Sequence, residues 1–555
     1  MTGIKQFTDI DTHIYRIGGS KLQSGIGPEQ IGNKAWNLLR MDRIGLPVPS
    51  AIVLGTELCR RYIKDGKRLP GLGDALVEHL AWMEKASGTG FGDRRRPLLV
   101  SVRSGSPVSM PGMMDTILNI GLNDETVRGV IRMTGNARLA WDCYRRLVQS
   151  YCEVVHGARP DSFDRIVNHH IRLLQLTGPE ELDTHTLQGI CNEFLDISTA
   201  VIGQPFPQDP YEQLQNAVYA VFGSWMSDKA VKYRQLNSLD DHSGTAVTVQ
   251  TMVFGNAGVT SGSGVGFTRD PATGDNEMYI DFLFDAQGED VVSGRRTVQD
   301  SMGMQQLMPE LLAQLEGVKK TLEKEFRDLQ DFEFTVQNKR LYLLQSRNAK
   351  RTPHAAVQVA VDLVREQLID TREALERLRS IDLDRIKQLH LVLPPGVQEI
   401  GRAVPASTGV AVGAVALSSD AAIRISRNGE PVLLVRKDMA TEDIDGLAIS
   451  EGIISCAGFR TSHAAVVARQ LGKVCLVACE GLHIDMENKT FTLSGQRFRE
   501  GEYLSLDGQT GAVYAGKLPV EQSEPVEALG EIRRWQDQAG EAPDFDGAER
   551  GYSST

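Results

Sequence analysis

The chain has 555 residues, 41% hydrophobic and 24% charged, with a formal net charge of -12. At about 150 residues per domain this length suggests three or four domains of ordinary globular composition, which excludes a largely disordered chain. The negative balance excludes a broad electrostatic grip on nucleic acid or anionic lipid, but not a small-anion pocket built from a few Lys and Arg. The first residues, MTGIKQFTDIDTHIYRIGG, hold no apolar core of signal-peptide length, and no apolar run reaches bilayer-spanning length. Up to about residue 122, short apolar strands such as PLLVSV alternate with Gly-rich turns, and residues 123–208 read as a helical subdomain. Strand-like runs follow in TAVTVQTMVF, GVGFTRD and EMYIDFLF, then a pair, FEFTVQ and LYLLQSR, joined by a turn at Asn338-Lys339-Arg340. The first large unit therefore spans 1–350.

Residues 351–396 read as a charged helical linker closed by Pro394-Pro395-Gly396. A compact Gly-, Ala- and Val-rich unit covers 397–516. The last forty residues carry nine acids against four bases, so 517–555 reads as a loosely attached acidic tail with at most one short helix, VEALGEIRRWQ. The seven cysteines are scattered and odd in number, as expected of reduced thiols in a cytoplasmic protein. Cys475 and Cys479 in KVCLVAC are expected on one face of a strand as packing residues.

The residues that carry chemistry begin with EGIISCAGFRTSHAAVVARQLGKVCLVAC. Gly452 to Ile454 and KVCLVAC read as buried strands. Between them Ala464 to Leu471 forms a helix, with Gly472 as its stop and Thr461 and Ser462 as natural N-caps. His463 falls in the first turn, where the helix dipole disfavours an imidazolium and stabilises an attached anionic phosphoryl group. A capping or packing histidine is the alternative.

Here a resemblance becomes specific. TSHAAVVAR, followed by Gly472-Lys473 and a Cys-containing strand, resembles the phosphohistidine segment of the pyruvate, phosphate dikinase family. SVRSGSPVSMPGMMDTILNIGLND, VFGSWMSDKAVKYRQLN, GTAVTVQTMVFGN, GFTRDPATG, AQGEDVVSG and DFEFTVQNKRLYLLQSRNAKRT look like that family's nucleotide-binding half, in the same order. The resemblance implies an α+β multidomain fold: an ATP-grasp-like nucleotide-binding domain with a helical subdomain, and a swivelling β/β/α phosphohistidine domain. It implies Mg2+ and ATP, with phosphate, as the reactants, and His463 as the phosphoryl carrier. Lys34 in IGNKAWNL and Arg103 would meet phosphates, with either Arg145 or Arg146 as a third cation. Glu289 would contact the nucleotide, and Gly262 and Gly264 in GVTSGSGVG would belong to a phosphate-covering loop, a plain hairpin being the alternative. Asp331 and Glu333 alternate onto one face of a strand, as do Gln345 and Arg347. The first three supply oxygen ligands for magnesium, and Arg347, with Arg103, supplies catalytic charge. Thr461, beside the carrier, is a regulatory candidate.

Two local departures stand out. The family's Ala-Arg-Gly-Gly-Met before Thr-Ser-His is Cys456-Ala457-Gly458-Phe459-Arg460 here, and its Ser-Gly-Ala-Arg is Ser104-Gly105-Ser106-Pro107. The family's phosphoenolpyruvate/pyruvate barrel, which takes about 250 residues, has no counterpart in the forty-residue tail. The expected function is an ATP-dependent phosphotransferase that phosphorylates His463 and yields AMP and pyrophosphate. The acceptor would sit on a separate barrel subunit or be another small molecule, and a homodimer is a further expected partner. The alternatives are a non-catalytic nucleotide sensor or an inactive remnant; neither nucleic acid nor membrane is an expected partner.

Overall fold

The computed structural model describes residues 9–19, 25–108, 110, 116–236, 239–240, 243–293, 304, 308–383, 386, 388–438, 443–458, 460, 463–523 and 526–540. Two compact units divide it: 1–262 with 284–286 and 334–347, and 263–283 with 287–333 and 348–555. The architecture is α+β in both. Among the described residues no helix is long and apolar enough to cross a membrane.

The first unit is organised by an antiparallel five-stranded sheet in the order Ile14–Ile17, Ala51–Leu54, Ala246–Thr251, Val100–Gly105, Thr116–Ile120. Strand alternation gives it two chemically distinct faces. Ile52, Leu54, Val100, Val102, Val247 and Val249 enter one continuous apolar core with residues of the helices around them. Ser101, Arg103, Thr248 and Gln250 have the opposite parity, in register as Ser101 against Gln250 and Arg103 against Thr248. The stretch 123–208 is helical, its longest members being Ala137–His156 and Thr184–Ile202, capped by Asn136 and Asp183 side chains that accept from Leu139 and Thr186 N–H groups.

A four-stranded sheet runs in the order Arg340–Asn348, Gln330–Gln337, Gly262–Phe267, Tyr279–Phe284. The hairpin between its first two strands closes on Asn338 and Lys339, with φ of 50° and 66°. Two positive φ angles match the right-handed strand twist, which explains a turn shorter than the three residues expected. GVTSGSGVG departs further from expectation, because Gly262–Phe267 is a fully buried strand rather than loop. Gly262 and Gly264 therefore sit in the sheet. Glycine is required at Gly266, where a Cβ would come within 2.5 Å of the Phe332 ring.

In the second unit, the helices Pro353–Arg365 and Thr371–Leu378 start at Thr352 and Asp370 caps. They pack with a third, Val526–Gly540. Ile532 is fully buried and Leu529 3% exposed in the cluster that holds Val357, Val361 and Leu378. Arg365 donates to Glu531 at 2.5 Å, and Val520–Ser523 pairs antiparallel with Gln388–Leu391. This corrects the reading of a loose tail for the described residues up to 540: Ala528, Leu529, Ile532 and Trp535 recur at helical spacing on the packed side. Residues 541–555 lie outside the described residues.

Residues 399–515 build an eight-stranded sheet whose centre is parallel: Val410–Ala416, Val432–Arg436, Gly452–Ser455, Val474–Val477. Parallel strands are covered on both faces and so read as continuous apolar runs. Leu433 and Val435 point to a cluster with Phe491, Leu493 and Phe498 of a three-stranded meander, whereas Val432 and Leu434 point to Ala421, Leu447, Ala465 and Ala468 of the crossover helices. The result is three layers, β/β/α. Cys475 joins the helix-side cluster but Cys479 joins the meander side, so the two do not share a face. Ala478, at φ 51°, breaks the alternation between them. Burial pushes both thiols up to about 12, as befits packing residues.

Candidate functional site

Lys34 owes its position to a break in its own helix. The helix Pro28–Arg43 is interrupted at Gly32, whose φ 73° and ψ 156° belong to a region only glycine occupies readily. A Cβ there would lie 2.1 Å from the Gly105 carbonyl oxygen. The approach is sealed by Asn33 N–H donating to Ser106 O at 3.0 Å, and by the Asn33 amide donating to Pro107 O. The helix therefore restarts beside the end of the Arg103 strand, with exposed Lys34 in its first turn, where N–H groups and dipole favour an anion. One turn on, Asn37 Nδ2 donates to Ser346 O at 2.9 Å, and Leu343 N–H donates to Pro47 O at 2.8 Å. These bonds bring the strand carrying Gln345 and Arg347 to the Lys34 helix.

Arg103 lies half-buried on the polar face of the five-stranded sheet and its Nη1 donates to Gln250 Oε1 at 3.4 Å. On the same face Thr248 Oγ1 and Gln250 Nε2 are buried without a hydrogen-bond partner among the described residues. Orphaned polar atoms beside an arginine suit a polar, anionic ligand. The Lys34 helix, the Arg103 strand and the strand that carries Gln345 and Arg347 are thus neighbours within the first unit. Gly32, Asn33, Asn37 and Gln250 are the members that sequence reasoning missed. The signal for the first three lay in IGNKAWN, where a glycine inside a helical pattern marks a break.

Arg145 is not brought to this group. Its side chain is 8% exposed and spent on Asp142 at 2.5 Å, and Arg146 holds the same carboxylate at 2.9 Å. Burial alone would raise the Asp142 carboxyl, but Arg146 and Arg145 outweigh it and hold it well below the usual carboxylate range. Both candidates for the third phosphate cation thus share one buried carboxylate in the helical part of the unit.

Asp331 and Glu333 lie on Gln330–Gln337, the former 5% exposed and the latter half-buried, and Gln345 lies on Arg340–Asn348 at 8% exposure. Among the described residues no three His, Cys, Asp or Glu side chains gather as a metal cage. Two carboxylates and an amide are hard oxygen donors, the donor chemistry that suits magnesium completing its shell with water and phosphate oxygens. Glu289 falls in the short helix Gly288–Ser293, and its side chain lies outside the described residues.

In the second unit His463 is the first residue of the helix His463–Gln470, the crossover between the parallel strands Gly452–Ser455 and Val474–Val477. Gly472, at φ 64°, follows its end. The side chain of His463 lies outside the described residues, as do Phe459, Thr461 and Ser462. In the same helix Arg469 is 1% exposed; its Nη1 donates to Ala406 O at 2.7 Å and Arg460 O at 2.8 Å.

Residues 70–309 and 298–368, together more than half of the chain, match the family described as pyruvate phosphate dikinase, AMP/ATP-binding domain. The chain belongs to the pyruvate, phosphate dikinase family. Residues 428–511 also match the PEP-utilising enzyme, mobile domain, the stretch that holds His463. The pyruvate, phosphate dikinase of Clostridium symbiosum is 43% identical over 513 residues, covering 91% of this chain and 58% of that protein. That of Rhizobium meliloti is 40% identical over 540 residues, 94% of this chain and 60% of the relative. Chloroplastic pyruvate, phosphate dikinase 1 of Zea mays is 42% identical over 512 residues, 92% and 54% respectively. The chain spans 54–60% of the length of these dikinases.

Proposed function

We propose that this chain performs the nucleotide half of a dikinase reaction, with His463 as the group phosphorylated. An unprotonated ring nitrogen of His463 attacks the β-phosphorus of ATP, the α–β bridge breaks at that phosphorus, and AMP leaves. Inorganic phosphate then attacks the γ-phosphorus, the β–γ bridge breaks, and pyrophosphate leaves, so the β-phosphoryl group stays on His463. Lys34, Arg103 and Arg347 neutralise phosphate oxygens, as a loose transition state with charge on its equatorial oxygens demands. Asp331, Glu333 and Gln345 would hold magnesium, which supplies charge neutralisation on the polyphosphate when bound. Thr461, two positions before the carrier, is a candidate for its regulation. The phosphoryl group then passes to an acceptor site carried by another part of the polypeptide or by a separate subunit.

The observation that carries this reading is the combination, in one chain, of an AMP/ATP-binding half with a histidine opening a crossover helix of the mobile-domain match. A phosphohistidine forms there with the helix N-terminus behind it. The test is labelling with magnesium and ATP carrying label at the β position, in the presence of phosphate. One acid-labile, base-stable group per chain, release of AMP, and loss of label in His463→Ala are expected. Label arriving from the γ position instead would sink the dikinase reading, and label retained by His463→Ala would remove His463 from its role.

A further inference from the structure

Arg460 stands three positions before His463, where the family segment has Met. Its Nη1 donates to Asp270 Oδ2 at 3.1 Å, with the two side chains 22% and 20% exposed, and its guanidinium carbon sits 4.4 Å from the centroid of the Tyr279 ring. Each partner is itself braced. Asp270 Oδ1 accepts from Ala272 N–H at 2.7 Å and Thr273 N–H at 3.2 Å, leaving Oδ2 for the arginine. The Tyr279 hydroxyl donates to Asp281 at 2.6 Å. Behind Arg460, its own carbonyl accepts from Arg469 at 2.8 Å. A guanidinium held at once by a carboxylate, an aromatic face and a fixed backbone has a defined position.

Stability alone accounts poorly for this arrangement. A mostly buried pair of this kind carries a desolvation cost that offsets much of its attraction, so its net contribution to folding is small. Arg460 Nε is moreover buried without a hydrogen-bond partner among the described residues, a cost that a side chain selected for packing avoids. We propose that Arg460 is a positioning residue. Through Asp270 and Tyr279 it fixes its own backbone, three positions ahead of His463, against residues 270–281, and so sets how readily His463 reaches the nucleotide. The proposal rests on the reading of His463 as the phosphoryl carrier.

The test measures single-turnover labelling of His463 from β-labelled ATP, and ATP affinity separately, in Arg460→Gln, Asp270→Asn and the double variant. The amide introduced by Asp270→Asn keeps the oxygen that serves Ala272 and Thr273, so the local turn survives. Each single substitution should slow labelling about tenfold, equivalent to about 1.4 kcal/mol, with ATP affinity unchanged. The double variant should be no slower than the slower single, because both remove one interaction. Arg460→Lys should recover part of the rate. Wild-type labelling in the singles, multiplied losses in the double, or ATP affinity falling in step with the rate would each overturn the proposal. A second measurement stands apart from catalysis: in Asp270→Cys/Arg460→Cys the new thiols should be joined by a short bis-maleimide, identified by peptide mapping. Failure of β-labelling in the wild-type chain, with the cross-link formed, refutes the carrier reading and leaves the contact intact. Absence of the cross-link refutes the contact itself.

Discussion

Gly32→Ala tests whether the broken helix is what places Lys34. The added methyl would sit 2.1 Å from the Gly105 carbonyl oxygen and 2.5 Å from its carbon, both backbone atoms at the end of the Arg103 strand. No rotamer change relieves a clash with backbone, so either the φ of 73° or the Gly105 strand end must move. Holding a non-glycine residue in this region costs about 1–3 kcal/mol, and overpacking adds about 1–3 kcal/mol more. Relief by separating the two segments breaks the bond from Asn33 to Ser106 and carries Lys34 away from Arg103. A displacement of about 1 Å in a positioning group is worth roughly a hundredfold in rate. The expected result is a folded protein with weakened ATP binding and His463 labelling slowed about a hundredfold, read by equilibrium binding and rapid-quench labelling. Gly66→Ala is the control: its φ is 60°, but a Cβ there meets nothing within 4 Å, so it should lower the melting temperature slightly and leave ATP binding alone. Wild-type ATP affinity and labelling in Gly32→Ala would refute the placement of Lys34 by this kink.

Two further outcomes follow from packing and charge. Asp142→Asn removes the partner of two clustered arginines and should cost about 3–5 kcal/mol, seen as a large loss of hydrogen-exchange protection across Ala137–His156. Because the folded carboxyl is depressed below its unfolded value, its stabilisation is complete above about pH 4 and is lost as pH falls further. The wild type should therefore show no Asp142-linked change between pH 5 and 8, and a titration of the Asp142 carboxyl itself near neutrality, resolved from that of His156 at the helix end, would contradict the pairing. Ile532→Ala should cost about 2–5 kcal/mol and deprotect Pro353–Arg365 together with Val526–Gly540, whereas unchanged exchange would restore the reading of a loose tail.

Much of the carrier unit was legible because parallel strands covered on both faces announce themselves as apolar runs, and Gly472 marks the helix end unambiguously. Errors arose where one residue's conformation reversed a pattern. Nothing in KVCLVAC announces that Ala478 takes φ 51° and turns Cys479 to the other side. The glycines of GVTSGSGVG suggested a loop, yet the strand needs at least one of them so that Phe332 can approach Gly266. The C-terminal helix was expected, but its packing was missed by counting charges over a window instead of following the spacing of Ala528, Leu529, Ile532 and Trp535. For Arg145 the warning was Asp142 at three and four residues before Arg145 and Arg146, a spacing that lets a helix consume its own charges. The site around Lys34 was legible as a set of residue types but not as a geometry, because the bonds from Asn33 to Ser106 and Asn37 to Ser346 link positions far apart in sequence.

The bracing of the His463 helix bears on how a phosphoryl group can be delivered. Strand Gly452–Ser455 and helix His463–Gln470 belong to one buried crossover, and Arg460, between them, is tied down from within. Arg469, 1% exposed, holds Arg460 O and Ala406 O with the same nitrogen. A local loop excursion that carried His463 several ångströms would have to break those bonds and leave a buried guanidinium without them. Its Nε and Nη2 already lack partners among the described residues, so that penalty has no nearby compensation. Moving the whole β/β/α unit breaks none of these internal contacts. Among the described residues it disrupts the contacts to 267–281: the Arg460–Asp270 pair, Arg460 on Tyr279, Thr408 Oγ1 on Ala272 O and Arg469 on the Phe267 ring. If His463 carries the phosphoryl group as proposed, the bonds inside the crossover favour motion of the unit as a body over a local excursion of its loop.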